Sequence, residues 1–169
     1  MKQVKPTLRL ANNEDTKTIL AWWSDGNVME SVGYPLGLNI TEKEISNTIN
    51  RYNNTNTSRF LIIQNEFGNP IGEFCYYELT HHKCSFDLKI GDTSSQGKGY
   101  GKNALLKGID YIKSNTDYRK IEISVAPENN RALALYQSIG FDIINTIQNN
   151  WVDQLGITRS SKILELPLY

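Results

Sequence analysis

Apolar residues recur with two different periods along this chain, and the places where the period changes mark its elements. Thr7 to Leu10 reads as a short strand; Asn12-Asn13-Glu14-Asp15 then supplies a helix cap with acid in the first turn, and Ile19, Leu20 and Trp23 follow at helical spacing. A loop containing Gly26, Gly33, Pro35 and Gly37 leads to Thr41-Glu42-Lys43-Glu44, which has capping-box form. It opens a second helix to about Tyr52, with Ile45 and Ile49 on one face, and the polar cluster from Asn53 to Ser58 ends it.

In the middle of the chain the period shortens to two. Phe60 to Gln64, Ile71 to Leu79 and Ser85 to Ile90 read as strands, separated by turns at Gly68-Asn69-Pro70 and His81-His82, so they are expected to pair antiparallel. Helical spacing returns over Asn103 to Ser114, where Ala104, Leu105, Gly108, Ile109 and Ile112 form the buried face. Ile121 to Val125 is then a strand, and a strand-helix-strand order implies a right-handed crossover between parallel strands. Glu128 to Ile139 is a further helix stopped by Gly140, and two strands, about Phe141 to Asn149 and Lys162 to Leu168, close the chain. The pattern predicts a mixed α/β fold: one domain over residues 1–169, with a mostly antiparallel sheet and about four helices.

Composition narrows the class of function. The 169 residues include 18 basic and 18 acidic side chains, so no broad attraction to nucleic acid or to an anionic membrane is expected. Mean hydropathy is −0.45, yet nine Tyr, five Phe and three Trp supply burial surface for a core. Cys75 and Cys84 lie in strand-like runs without metal-type spacing and read as buried thiols suited to a reducing cytoplasm. His81 and His82 lack companions at ligand spacing, so no metal is expected. The stretch from Met1 to Pro6 has no apolar run of leader length, and no segment approaches a membrane span.

The most informative segment is Gln96-Gly97-Lys98-Gly99-Tyr100-Gly101-Lys102, between a strand and a helix. Glycine admits positive φ and close approach of another molecule, and unpaired N–H groups at a helix start attract phosphate. Lys98 and Lys102 add positive charge. The spacing is one residue short of a Walker loop and lacks its Ser or Thr. A dinucleotide loop fits poorly, because Gly91 to Ser95 intervenes after the strand and Glu122 stands at the start of its strand. Taken alone, the loop is compatible with a tight turn as well as a phosphate cradle.

Together with Asn129-Asn130-Arg131-Ala132-Leu133-Ala134-Leu135-Tyr136 and Gly140-Phe141, this loop resembles the signature of the GNAT superfamily of acyl-CoA-dependent N-acetyltransferases. The resemblance spans nearly the whole chain and implies the family's fold, in which the parallel strands splay and acetyl-CoA enters between them. By that resemblance the backbones of Leu88, Lys89 and Ile90 face the pantetheine, and Gln96, Gly97, Lys98, Gly99, Tyr100, Gly101 and Lys102 hold the pyrophosphate. Asn129 and Ala132 belong to the coenzyme site, and Tyr136 reaches the thioester sulfur as general acid. A homodimer is also in keeping with such families.

An amine must lose a proton before it attacks a thioester, because an ordinary alkylammonium has a pKa near 10. Ser85, Asp87 and Lys89 alternate onto one strand face, so Asp87 is the candidate base or cation attractor; its place before the loop resembles that of the acidic residue in aminoglycoside 6′-N-acetyltransferases. Where many family members carry Glu, this chain has Ser85. Trp22, Trp23, Tyr34, Tyr76, Tyr77 and Trp151 are candidate acceptor walls, and Asp25, Glu30, Glu73, Glu78 and Asp153 are candidate cation partners. The adjacent Trp22-Trp23 pair cannot both face one core, which leaves one for a cleft. The acceptor expected first is a small polyamine or aminoglycoside-like amine, then a protein N-terminus. The rival readings are a non-catalytic acyl-CoA-binding regulatory module and a nicotinamide-binding enzyme.

Overall fold

The computed structural model describes residues 3–169; Met1 and Lys2, the first two residues of the predicted domain, lie outside it. Seven strands form one sheet: β1 (Thr7–Leu10), β2 (Arg59–Gln64), β3 (Pro70–Thr80), β4 (Lys83–Ile90), β5 (Lys120–Val125), β6 (Asp142–Val152) and β7 (Thr158–Pro167). Their spatial order is β1-β2-β3-β4-β5-β7-β6. All neighbours are antiparallel except β4 and β5, as the crossover through the intervening helix requires.

The helices are α1 (Thr16–Trp23), α2 (Gly26–Met29), α3 (Glu42–Asn53), α4 (Tyr100–Asn115) and α5 (Asn130–Ile139). The capping box at Thr41 is present, with Glu44 accepting from the Thr41 N–H at 2.8 Å. α2 falls where the sequence reads as loop. Four residues are too few for a periodic signal; the local cue is the Asp25 cap, whose carboxylate accepts from the Asn27 N–H. α4 begins at Tyr100 rather than Asn103, so the second half of the glycine segment is its first turn. β6 runs on to Val152 and β7 starts at Thr158, making the final hairpin longer than its apolar pattern shows.

Both faces of the sheet centre are covered, which accounts for the unbroken apolar run Phe60 to Ile63 on β2. Leu61 and Ile63 pack with Phe74, Tyr76, Phe86 and the buried stripe of α4. Phe60 and Ile62 pack on the other face with Ile19, Trp22, Ile45 and Ile49 of α1 and α3. Cys75 and Cys84 are buried free thiols. An Arg9–Asp15 pair, with two contacts of 2.7 and 2.8 Å, ties β1 to the entry of α1. Burial alone would raise the Asp15 carboxyl, but Arg9 and the Asn12 N–H hold it below the usual range. No helix among the described residues is long and apolar enough to cross a membrane.

The feature that shapes the site is the failure of β4 and β5 to stay together. They pair only at Lys83 with Lys120 and Cys84 with Ile121. Beyond that point β4 stays with β3 as far as Ile90, and β5 stays with β7 as far as Val125.

Gly108 seats α4 on the sheet: a Cβ there would come within 2.4 Å of the buried Phe74 ring. Gly108→Ala should therefore destabilise the fold by about 1–3 kcal/mol despite alanine's better helix propensity, read as a lower midpoint in urea unfolding. A second expectation concerns pH. Asp15 titrates lower in the folded chain than in the unfolded one, so its contribution is complete above the ordinary aspartate pKa near 4 and is lost as pH falls through its folded value. Asp15→Asn should flatten the acid limb of the stability profile in that window.

Candidate active site

Where β4 leaves β5, a groove of about 520 Å³ opens, floored by Leu88, Lys89 and Ile90. One wall is the glycine loop, with Gln96, Gly97, Gly99, Gly101 and Lys102; the other is the start of α5, with Asn129 and Ala132. Gly97 (φ 72°) and Gly99 (φ 90°) both occupy the left-handed region, and Gly99 is the residue that caps α4. The first three N–H groups of α4, at Tyr100, Gly101 and Lys102, have no acceptor within the helix, and its first turn holds no acid. The arrangement suits an anion.

Other predicted coenzyme residues serve the groove indirectly. The Gln96 amide donates to the Ile90 carbonyl at 2.8 Å, pinning the loop to the end of β4. The Tyr100 side chain is buried beneath α4 and donates to Glu66, so only its backbone faces the loop. Lys98 is exposed and does not line the groove; its charge helps hold the Asp92 carboxyl low, after the hydroxyl of Ser95. Asn129 caps α5, its side-chain oxygen accepting from the Ala132 N–H at 3.1 Å. Sequence reading missed Asn27, Val28 and Ser31, which α2 and the turn after it bring to the groove, and Ser95, Arg131 and Leu135.

Tyr136 lies on α5 one position beyond Leu135, half-buried, with its ring edge-on to Phe86 (6.1 Å) and Phe141 (5.5 Å). Burial, and then the nearby Asp87 carboxylate, push its phenol above the usual tyrosine value. It therefore keeps its proton at neutral pH.

On the opposite face of β4 lies a pocket of about 290 Å³, lined by Asp87, the Lys89 side chain, Glu73, Cys75, Trp23 and Tyr34 among others. Pairing of β3 with β4 sets Glu73 opposite Lys89 and Cys75 opposite Asp87, so the alternation read from the sequence delivers Asp87 to a cleft. Glu73 is 1% exposed. Its carboxylate accepts from the Trp23 Nε1 at 3.0 Å and pairs with the Lys89 Nζ at 3.2 Å. Burial raises Glu73 and opposes the charge on Lys89, while each partner favours the charge of the other. With that pair internally neutral, Asp87 is the pocket carboxylate that makes no hydrogen bond among the described residues.

The aromatic walls divide. Trp23 and Tyr34 line the pocket, joined by Tyr52 and Phe60, which the sequence reading did not include. Trp22 does not: it is buried against Gly91 in the α1–α3 core. Tyr76 is likewise corrected. It points to the α4 side of β3, 1% exposed, against Tyr111 and Tyr118, because alternation sends it opposite to Glu73 and Cys75. Trp151 stands apart in an adjoining groove with Glu30, Glu128 and Asp153, its ring against Gly33. Asp25 caps α2 and Tyr77 lies opposite Ser85. Glu78, with His81 and His82, lines a separate cavity of about 670 Å³, which holds none of the predicted catalytic or coenzyme residues. Among the described residues, no three His, Cys, Asp or Glu are grouped to hold a metal.

An acetyltransferase (GNAT) domain model matches residues 6–142, most of the chain. The chain belongs to the GNAT acetyltransferase family. This GNAT chain is 28% identical over 100 residues to a spermidine N(1)-acetyltransferase of Vibrio cholerae, a match covering 58% of this chain and 57% of that protein's length. Among solved structures, it superposes on a V. cholerae spermidine N-acetyltransferase in complex with CoA and spermine with a TM-score of 0.86 at 23% identity, covering 97% of this chain and 96% of that one. A ribosomal-protein-alanine N-acetyltransferase from Brucella melitensis gives 0.82 at 16% identity, covering 95% and 99%. These likenesses show the GNAT fold.

The buried pair makes a sharp expectation. Glu73→Gln removes the ion-pair partner of buried Lys89 and should cost about 3–5 kcal/mol of stability, measured by chemical denaturation. Adding Lys89→Met should recover most of it, since the introduced amide oxygen can still accept from Trp23 while the buried charge is gone.

Proposed function

We propose that this GNAT protein transfers an acetyl group from acetyl-CoA to a primary amine, both substrates being bound together. The observation that carries the reading is the splay of β4 from β5, with an anion-suited groove on one side and a pocket presenting Asp87 on the other. Free N–H groups at the start of α4, two left-handed glycines and exposed Lys102 fit a pyrophosphate, and the unpaired edge of Leu88 to Ile90 fits the amide groups of a pantetheine arm. Acetyl-CoA supplies the acyl group activated as a thioester.

Asp87 attracts the ammonium form of the acceptor and takes its proton, directly or through water, so that the amine attacks neutral. The new C–N bond forms as the C–S bond breaks, and Tyr136, still protonated at neutral pH, gives its proton to the departing sulfur. Holding both reactants in one geometry lowers the barrier further. The pocket is small, walled by Trp23, Tyr34, Tyr52 and Phe60, and its one unbonded carboxylate matches a slender aliphatic amine. A small polyamine or aminoglycoside-like amine is accordingly the first acceptor class, in keeping with the acceptor in the names of its polyamine-acetylating relatives.

Saturating acetyl-CoA should raise the melting temperature where NAD(H) does not; at a hundredfold excess over Kd the stabilisation is about 2.7 kcal/mol. No shift from folded protein would remove the coenzyme reading, whereas a shift without acetylation of any amine would favour a binding module. Tyr136→Phe should lower kcat by about 10²-fold or more and keep the acetyl-CoA shift. Asp87→Asn should lower kcat/KM for the amine while leaving that shift intact. Acetylation of peptide N-termini with no small-amine turnover would reverse the acceptor order.

A further inference from the structure

We infer that Arg51 selects acceptors by what stands at the far end of the molecule from the reacting amine: an oxygen group that accepts hydrogen bonds, and not a second ammonium. This rests on the reading above, in which the pocket beside Asp87 holds the acceptor, and it orders the two acceptors named there. An oxygen-rich amine of aminoglycoside type comes ahead of a short polyamine.

Four charged side chains line the pocket: Glu73, Asp87, Lys89 and Arg51. Two of them cancel, since Glu73 and Lys89 pair at 3.2 Å with side chains only 1% and 10% exposed. Asp87 and Arg51 remain, and neither makes a hydrogen bond or an ion pair among the described residues. The Arg51 guanidinium lies over the Tyr52 ring, 5.8 Å from its centroid. Both spare charges reach the Tyr52 phenol, which burial raises first, with Asp87 adding to the rise and Arg51 opposing it. One unpaired anion and one unpaired cation therefore share a cavity of about 290 Å³.

The cation comes from α3. Thr48, Arg51 and Tyr52 meet the pocket at i, i+3 and i+4, so a single face of that helix forms the wall. Arg51 lies in the last turn, where a positive charge also suits the free carbonyls of the helix end. That role accounts for its sign but not for its side of the helix, which is the side facing the pocket.

An acceptor whose ammonium reaches Asp87 neutralises the spare carboxylate. The rest of the same molecule then meets a cation, with Lys89 already committed to Glu73. A second ammonium is repelled there and finds no unpaired carboxylate in the pocket, whereas a hydroxyl, carbonyl or carboxylate can accept from the guanidinium N–H groups. Selection of this kind comes from the repulsive contact as much as from the attractive one. Arg51 is exposed, so water screens its charge and the preference should be about fivefold to tenfold.

The test is calorimetric titration of the protein, with and without saturating coenzyme A, by three amines of equal chain length: an ω-amino alcohol, an ω-amino acid and a diamine, each made with four, six and eight carbons. At the length that binds best, wild type should bind both oxygen-tailed amines about fivefold to tenfold more tightly than the diamine. The order of alcohol and acid tells whether Arg51 reads the oxygen or its charge. Arg51→Gln should bring the three to within about twofold of one another, and Arg51→Lys, which keeps the charge, should still reject the diamine. Lys43→Gln, in the first turn of α3 and outside the pocket lining, should leave the preference as it is. A diamine bound as tightly as the other two by wild type, or a preference that survives in Arg51→Gln, overturns the inference and leaves acetyl transfer to an amine standing. No binding of any of the three, or affinities that Asp87→Asn leaves unchanged, removes the pocket as the acceptor site and the inference with it.

Discussion

The parting of two parallel strands is the constraint on which the rest of this molecule depends. β4 and β5 share two pairs of residues and then follow different neighbours, so backbone groups that a closed sheet would consume are left facing a gap. Each surrounding element has a role set by that gap. α4 starts beside it with free N–H groups, α5 caps itself on Asn129 at its rim, and α2 closes it from the other side. The sheet can open there because its centre is held from both faces by two separate apolar clusters.

Much of this was legible in the sequence, for identifiable reasons. The glycine segment stood out because it breaks helical periodicity where an entering helix has unpaired donors. Strict alternation along β4 put Asp87 and Lys89 on one face and Phe86 on the other, as found. What stayed hidden depends on partners distant in sequence. Whether Tyr76 lines a cleft or a core is decided by which face of β3 meets α4, and whether Trp22 or Trp23 is the buried one is decided by Gly91, about seventy residues away. Glu73 and Lys89 look like two surface charges until strand register sets them opposite each other.

That pair shows how a polar group can sit beneath a site without serving as its reagent. Trp23, Glu73 and Lys89 satisfy one another, so the pocket floor is stiff and carries little net charge. The carboxylate left over is Asp87, whose field reaches as far as the Tyr136 phenol. A spare charge above a neutral floor gives the pocket a polarity that a symmetrical cluster of acids would not.

Lys89 contributes to both sides of the sheet: its position on β4 lies along the floor of the groove, while its side chain closes the pocket on the other face. A single residue therefore takes part in both cavities, and a substitution at Lys89 that alters how β4 sits against β3 changes the shape of groove and pocket together.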